Sequence, residues 1–246
     1  MTTDNTEPTL SQKLIAEALG TAFLLMAIVG SGILAVNLAD GNDAVALLAN
    51  AGCVGAILFV LIIIFGPVSG AHFNPAVTLA FWLQKEIDTP TAIKYVLTQI
   101  LAALIGVVVT HVMFEMSLVQ LPEQARNGYG QYLGELIATF GLLMTIFGCV
   151  TYRSETVPAA VGLYITSAIW FTSSTCFANP AVTIARAITD TFVGIRPIDA
   201  PAFVLLQLAA AAFAALIAKQ VFPSGAEEEA SEPSLSSQQK TLDAAE

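Results

Sequence analysis

Two apolar stretches of this chain break off too short to cross a bilayer, and both breaks carry the same seven-residue pattern. Asn-Pro-Ala-Val-Thr-Leu-Ala runs from Asn74 to Ala80 and Asn-Pro-Ala-Val-Thr-Ile-Ala from Asn179 to Ala185, 105 residues further on, with six identities in seven. Agreement at that level marks an internal duplication. Proline suits the first position of a helix, where its missing N–H would lack a partner anyway, and the asparagine before it is a strong N-cap. Pro75–Phe81 and Pro180–Arg186 are therefore predicted to be short helices that begin inside a membrane.

The membrane follows from composition. The 246 residues are 56% hydrophobic and 11% charged, with a mean hydropathy of +0.74, far more apolar than a soluble globular chain. Long apolar runs fall at Leu14–Asn37, Ala44–Phe65, Ala92–Phe114, Tyr132–Thr151, Val157–Thr172 and Ala202–Val221. About 20 residues cross a bilayer, so the fifth is marginal in length. No positively charged segment precedes the first run, which is too long for a signal-peptide core and is expected to remain as a span.

The net charge of −10 comes largely from two polar ends, residues 1–12 and 223–246, the second containing the run Glu227-Glu228-Glu229. Segments this polar bury too little apolar surface to offset chain entropy and are expected to be disordered. Between them lies one membrane domain, residues 13–222, divided into repeats of about 13–115 and 131–222. The charge balance excludes nucleic acid as a partner. Six spans put both ends on one side, with Lys13, Lys85, Lys94, Arg153, Lys219 and Lys240 against Arg126, Arg186 and Arg196 on the other. The positive-inside rule then places both termini in the cytoplasm. Cys53, Cys149 and Cys176 show no paired spacing, so neither a disulfide framework nor a zinc site is expected.

The duplication extends beyond the tripeptides. Ala16–Met26 aligns with Gly134–Met144, keeping Glu17 with Glu135, Thr21 with Thr139 and both Leu-Leu-Met triplets in register; Gln99 pairs similarly with Gln207. Each half is three spans and one re-entrant segment. Because three is odd, the second half enters the membrane upside down relative to the first. The N-termini of the two short helices then meet near the midplane, where irregular backbone survives only if buried in protein or lining water.

Ser69–Thr78, the second Asn179-Pro180-Ala181, Glu17, Glu135 and the inverted repeat together resemble the major intrinsic proteins, the aquaporins and glycerol facilitators. The resemblance implies an all-α membrane fold of six transmembrane helices and two re-entrant half-helices. It also implies one pore per protomer, a homotetramer, and the half-helix dipole barrier to protons and cations that is general for aquaporin-type pores. Asn74 and Asn179 are expected at the midplane of the pore. By counting from them, the four positions of the family's selectivity filter fall on Val54, Cys176, Val182 and either Ile169 or Ser167, with helix register favouring Ile169. Val182 stands where nearly all members of the family have arginine, and no histidine completes a water-selective filter. The pattern is similar to an arginine-less bacterial branch associated with arsenical movement, which implies a bacterial inner membrane.

Each candidate has a plainer reading. Arg186, one turn past Val182, either lines the pore mouth or pairs with Asp190 on the surface. Glu17 and Glu135 are either a proton relay or braces for the re-entrant loops, and their symmetry favours bracing. His72 is expected to line the opposite mouth, and His111 to be a satisfied packing residue. The function expected is passive passage of small uncharged solutes such as polyols, metalloid hydroxides and water through a wide apolar filter, with no catalytic residue, metal or cofactor. The rivals are a water-selective channel, a secondary transporter, which would need a coupling-ion site, and a non-conducting junction protein of the same fold.

Overall fold

The computed structural model describes residues 7–223, so most of the expected N-terminal tail and nearly all of the acidic C-terminal tail lie outside the described residues. Within them all regular structure is helical: α1 (Leu10–Leu38), α2 (Asp43–Ser69), α3 (Pro75–Leu83), α4 (Thr89–Met113), α5 (Tyr129–Tyr152), α6 (Val157–Phe171), α7 (Pro180–Arg186) and α8 (Ala200–Val221).

The helices run a few residues past the apolar stretches because polar caps extend them. Thr9 and Gln12 form a reciprocal capping box, so α1 starts at Leu10 and residues 10–12 of the expected tail are helical. Asn42 caps α2 by accepting from the Val45 N–H, and Asp88 caps α4 by accepting from that of Thr91. The marginal span, α6, is 15 residues long, led in by a 3-10 turn at Ser154–Thr156. The other five long helices have the length and hydropathy to cross a membrane.

Packing repeats the sequence symmetry. In the first half α1 packs against α2 and α4; in the second, α5 packs against α6 and α8. The halves are joined by α2 against α6 and by an exchange in which α3 packs on α8 while α7 packs on α4. Each half-helix thus lies largely against the other half. Large apolar side chains such as Phe23, Leu101, Ile105, Leu205 and Leu216 point outward, as lipid contact requires.

Glycine permits the central crossing. A Cβ on Gly55 would stand 2.7 Å from the Gly162 carbonyl oxygen, and one on Gly162 would stand 2.6 Å from that of Gly55. Backbone cannot yield as a flexible side chain does, so α2 and α6 touch only because both residues lack side chains. We expect Gly162→Val to destabilise the protein by about 1–3 kcal/mol, the usual cost of overpacking. Gly52→Val, where nothing lies within 4 Å, should be close to neutral. Thermal denaturation in detergent distinguishes the two.

Candidate functional site

The half-helices owe their position to two buried carboxylates. Glu17 Oε1 accepts from the Ser69 hydroxyl (2.7 Å) and the His72 N–H (2.9 Å), and its Oε2 from the Phe73 N–H (2.7 Å) and Gln99 Nε2 (2.8 Å). Glu135 does the same in the other half, accepting from the N–H groups of Phe177 and Ala178 (2.9 Å each) and from Gln207 Nε2 (2.6 Å). Gln99 and Gln207 each also donate to the half-helix threonine, Thr78 or Thr183. With all their oxygens engaged in this way, both glutamates hold loops.

Those loops need holding. Ala71 and Phe73 have φ of 52° and 47°, and their counterparts Cys176 and Ala178 have 50° and 47°, a left-handed conformation that costs a side-chain-bearing residue roughly 1–3 kcal/mol. The turn aims the backbone N–H groups at the glutamate and leaves the following asparagine free to start a helix. Asn74 Oδ1 then accepts from the Ala76 N–H, and Asn179 Oδ1 from those of Ala181 and Val182. Pro75 and Pro180 occupy the first helical turn, with Ala76 and Ala181 fully buried behind them.

The tips lock each other. Asn74 Nδ2 donates to the Ala178 carbonyl and Asn179 Nδ2 to the Phe73 carbonyl, both at 2.8 Å. Each amide nitrogen carries two hydrogens, so each retains one beyond this bond.

Both asparagines line a cavity of about 710 Å³ whose walls include Gln131 and Val150, near opposite ends of α5 and so roughly 28 Å apart at 1.5 Å per residue. It extends from one face of the bundle to the other. Val54, Ile169, Cys176 and Val182 line it together, all at most 6% exposed. Ser167 instead faces outward and donates to the Leu163 carbonyl. On the face carrying the chain termini the wall includes His72, whose Nδ1 lies 3.1 Å from Thr78 Oγ1 and whose ring packs against Phe81. His111 is buried away from the cavity, bonded to the Leu118 carbonyl and Thr189 hydroxyl.

On the far face the structure decides between the two readings of Arg186 and differs from one expectation, that for Arg126. Arg186 makes no ion pair with Asp190: its guanidinium lies over the Phe177 ring, 3.3 Å from the centroid, donates from Nε to the Val193 carbonyl, and lines the cavity. Asp190 accepts instead from the Glu123 N–H. Arg126, read from the sequence as one more charge on that face, is 7% exposed and lines the same cavity. No sequence signal marks it, because its partners are mainly backbone carbonyls, which any residue supplies.

An inverted repeat with two half-helices meeting tip to tip on a membrane-length cavity defines a transmembrane pore. Comparison with known proteins names the group. The family model for major intrinsic proteins matches residues 4–175. The chain is 49% identical over 199 residues to the aquaglyceroporin AqpS of Rhizobium meliloti, covering 81% of this chain and 85% of that protein. It is 36% identical over 138 residues to the probable aquaporin TIP2-2 of rice, a match spanning 54% of each. In structure it is similar to the aquaglyceroporin from Plasmodium falciparum, with a TM-score of 0.61 at 21% identity, over 86% of this chain and 95% of that one. The chain belongs to the major intrinsic protein family. It is a multi-pass membrane channel for small solutes and not an enzyme.

Glutamine at position 17 would keep an acceptor for the Ser69 and His72 donors but turn an NH2 toward Phe73 and Gln99, whereas leucine would orphan all four. At about 1–3 kcal/mol per buried donor left unsatisfied, Glu17→Leu should destabilise the purified protein well beyond Glu17→Gln in thermal denaturation. Equal losses would show that the charge itself is required.

Proposed function

We propose that this channel conducts compact neutral hydroxylated solutes, namely glycerol-like polyols and metalloid hydroxides such as arsenite, together with water. The observation that carries the reading is that Val54, Ile169, Cys176 and Val182, which we take to form one ring, all line the cavity. Three aliphatic side chains and a thiol present little to compete with water for a solute's hydroxyls, and no arginine reaches across at Val182. Such a ring is wider and drier than one holding a fixed guanidinium. Neutral As(OH)3 is comparable to glycerol in size, so both meet the same constraint. The 49% identity to a protein named aquaglyceroporin supports the polyol part of the reading.

Asn74 and Asn179 mark the midplane, where their remaining amide hydrogens receive a passing oxygen. The half-helix N-termini at Pro75 and Pro180 supply roughly half an elementary charge each, which disfavours cations. His72 and Arg186 mark the two mouths. The assembly is a homotetramer in a bacterial inner membrane with both termini cytoplasmic, a reading that rests on the family resemblance and on the distribution of Lys and Arg.

Swelling of reconstituted proteoliposomes under opposed gradients of water, glycerol and arsenite tests the solute. Flux of glycerol and arsenite proportional to gradient supports the reading, and flux of water alone overturns it. Saturable, ion-dependent flux would favour a transporter. Val182→Arg places a long cation across the narrow ring and should reduce glycerol and arsenite flux at least tenfold while sparing water. Undiminished large-solute flux in a folded Val182→Arg protein would remove Val182 from the constriction. Asn179→Asp should weaken neutral flux and admit cations, measured as current across a planar bilayer.

A further inference from the structure

Two guanidiniums lie side by side in the far vestibule. Arg126 arrives on the strap that joins the repeats, and Arg186 is the last residue of α7, one turn beyond Val182. Their Cζ atoms lie 4.9 and 3.3 Å from the centroid of one ring, Phe177, so the charges are separated by no more than the sum of those distances. Both residues are more than nine-tenths buried and both line the cavity.

Like charges buried together repel and lose hydration, a cost usually offset by carboxylates. None serves here. Among the described residues the one side-chain ion pair within 4.0 Å is Arg196–Asp199. Glu135 is engaged with the loop amides and Gln207, and the one carboxylate in the cavity wall, Asp43, is exposed at the start of α2. Carbonyls do the work instead. Three in succession turn toward the pair: Phe192 accepts from Arg126 Nη2 (3.5 Å), Val193 from Arg186 Nε, and Gly194 from Arg126 Nε (2.8 Å). Arg126 Nη1 donates to the Ser174 carbonyl (3.3 Å) and the Thr175 hydroxyl (3.2 Å). Carbonyl dipoles solvate a charge without cancelling it, as they do in ion-channel filters. The net positive charge therefore remains. Among the described residues the two terminal nitrogens of Arg186 make no hydrogen bond to protein, and the residue lines the cavity.

We propose that the Arg126–Arg186 pair is the charge filter of this channel, set one helical turn outside the ring at Val182 that limits size. The inference rests on the channel reading above. A cation entering from the far face meets Arg186 before it reaches the potential of the half-helix N-termini, whereas a neutral solute accepts a hydrogen bond from Arg186 and moves on to the apolar ring. Charge and size are thus selected at two levels. Arg126 is a positioning residue: by binding the carbonyls on either side of Val193, it fixes the acceptor that orients Arg186.

The test measures glycerol and methylammonium permeation in proteoliposomes. Arg186→Gln and Arg126→Gln should each lower the glycerol-to-methylammonium ratio at least tenfold, and Arg186→Lys, which keeps the charge, should lower it less. Arg196→Gln, which removes a cation from the same face outside the cavity, should leave the ratio at the wild-type value. Adding Val182→Arg to Arg186→Gln should return methylammonium permeation itself to the wild-type level, read separately because Val182→Arg also lowers glycerol flux. A folded, glycerol-conducting Arg186→Gln protein that excludes methylammonium as well as wild type overturns the inference. Should Arg126→Gln fail to assemble, Arg186→Gln decides alone, because it gives up one hydrogen bond rather than four. Absence of glycerol flux in the wild-type protein would instead overturn the channel reading and this inference with it.

Discussion

The structure depends on two carboxylates that, among the described residues, form no ion pair. Glu17 and Glu135 sit fully buried within helices that cross the membrane, and each engages backbone N–H groups of a loop that would otherwise expose them in hydrocarbon. A charged acceptor binds such donors about twice as strongly as a neutral one. That strength offsets both the burial of the charge and the left-handed turns at Phe73 and Ala178. From those turns follow the direction of the half-helices, the meeting of their N-termini, and the open path between the two halves.

The first and second halves solve this problem with matching parts and then diverge where the faces differ. His72 and Phe177 hold equivalent places, each giving its backbone N–H to a glutamate. The side chain of His72 stays a polar lining group, bonded to Thr78. That of Phe177 becomes a platform for two guanidiniums. Symmetry of the backbone therefore coexists with asymmetry of the two mouths. The parts that set the frame are duplicated, and the side chains at the two mouths are not.

This division explains what the sequence disclosed. Asn74, Asn179, Glu17, Glu135, Gln99 and Gln207 were legible because duplication prints each of them twice in a constant setting. Ile169, rather than Ser167, on the cavity wall was legible from helix register, since residues two apart on a helix point in different directions. The helix ends were less so, because Thr9 and Asp88 extend α1 and α4 through polar residues that an apolar run omits. Arg126 was hidden altogether. It lies on an irregular strap with no periodicity, it has no counterpart in the other half, and a lone arginine there reads as a solvated charge. Arg186 was placed by its spacing from Val182, but its choice of the Phe177 ring over Asp190 depends on the fold of the loop after α7.

The reciprocal bonds between Asn74 and the Ala178 carbonyl and between Asn179 and the Phe73 carbonyl have a mechanical meaning. A pump that opens to one side at a time must rock one half against the other, which here would break both bonds and separate the glycines that bring α2 against α6. The two bonds and the close backbone crossing both oppose such a motion. Passage through such a body needs no conformational cycle per molecule, and its rate is set by how fast solutes follow one another down the gradient.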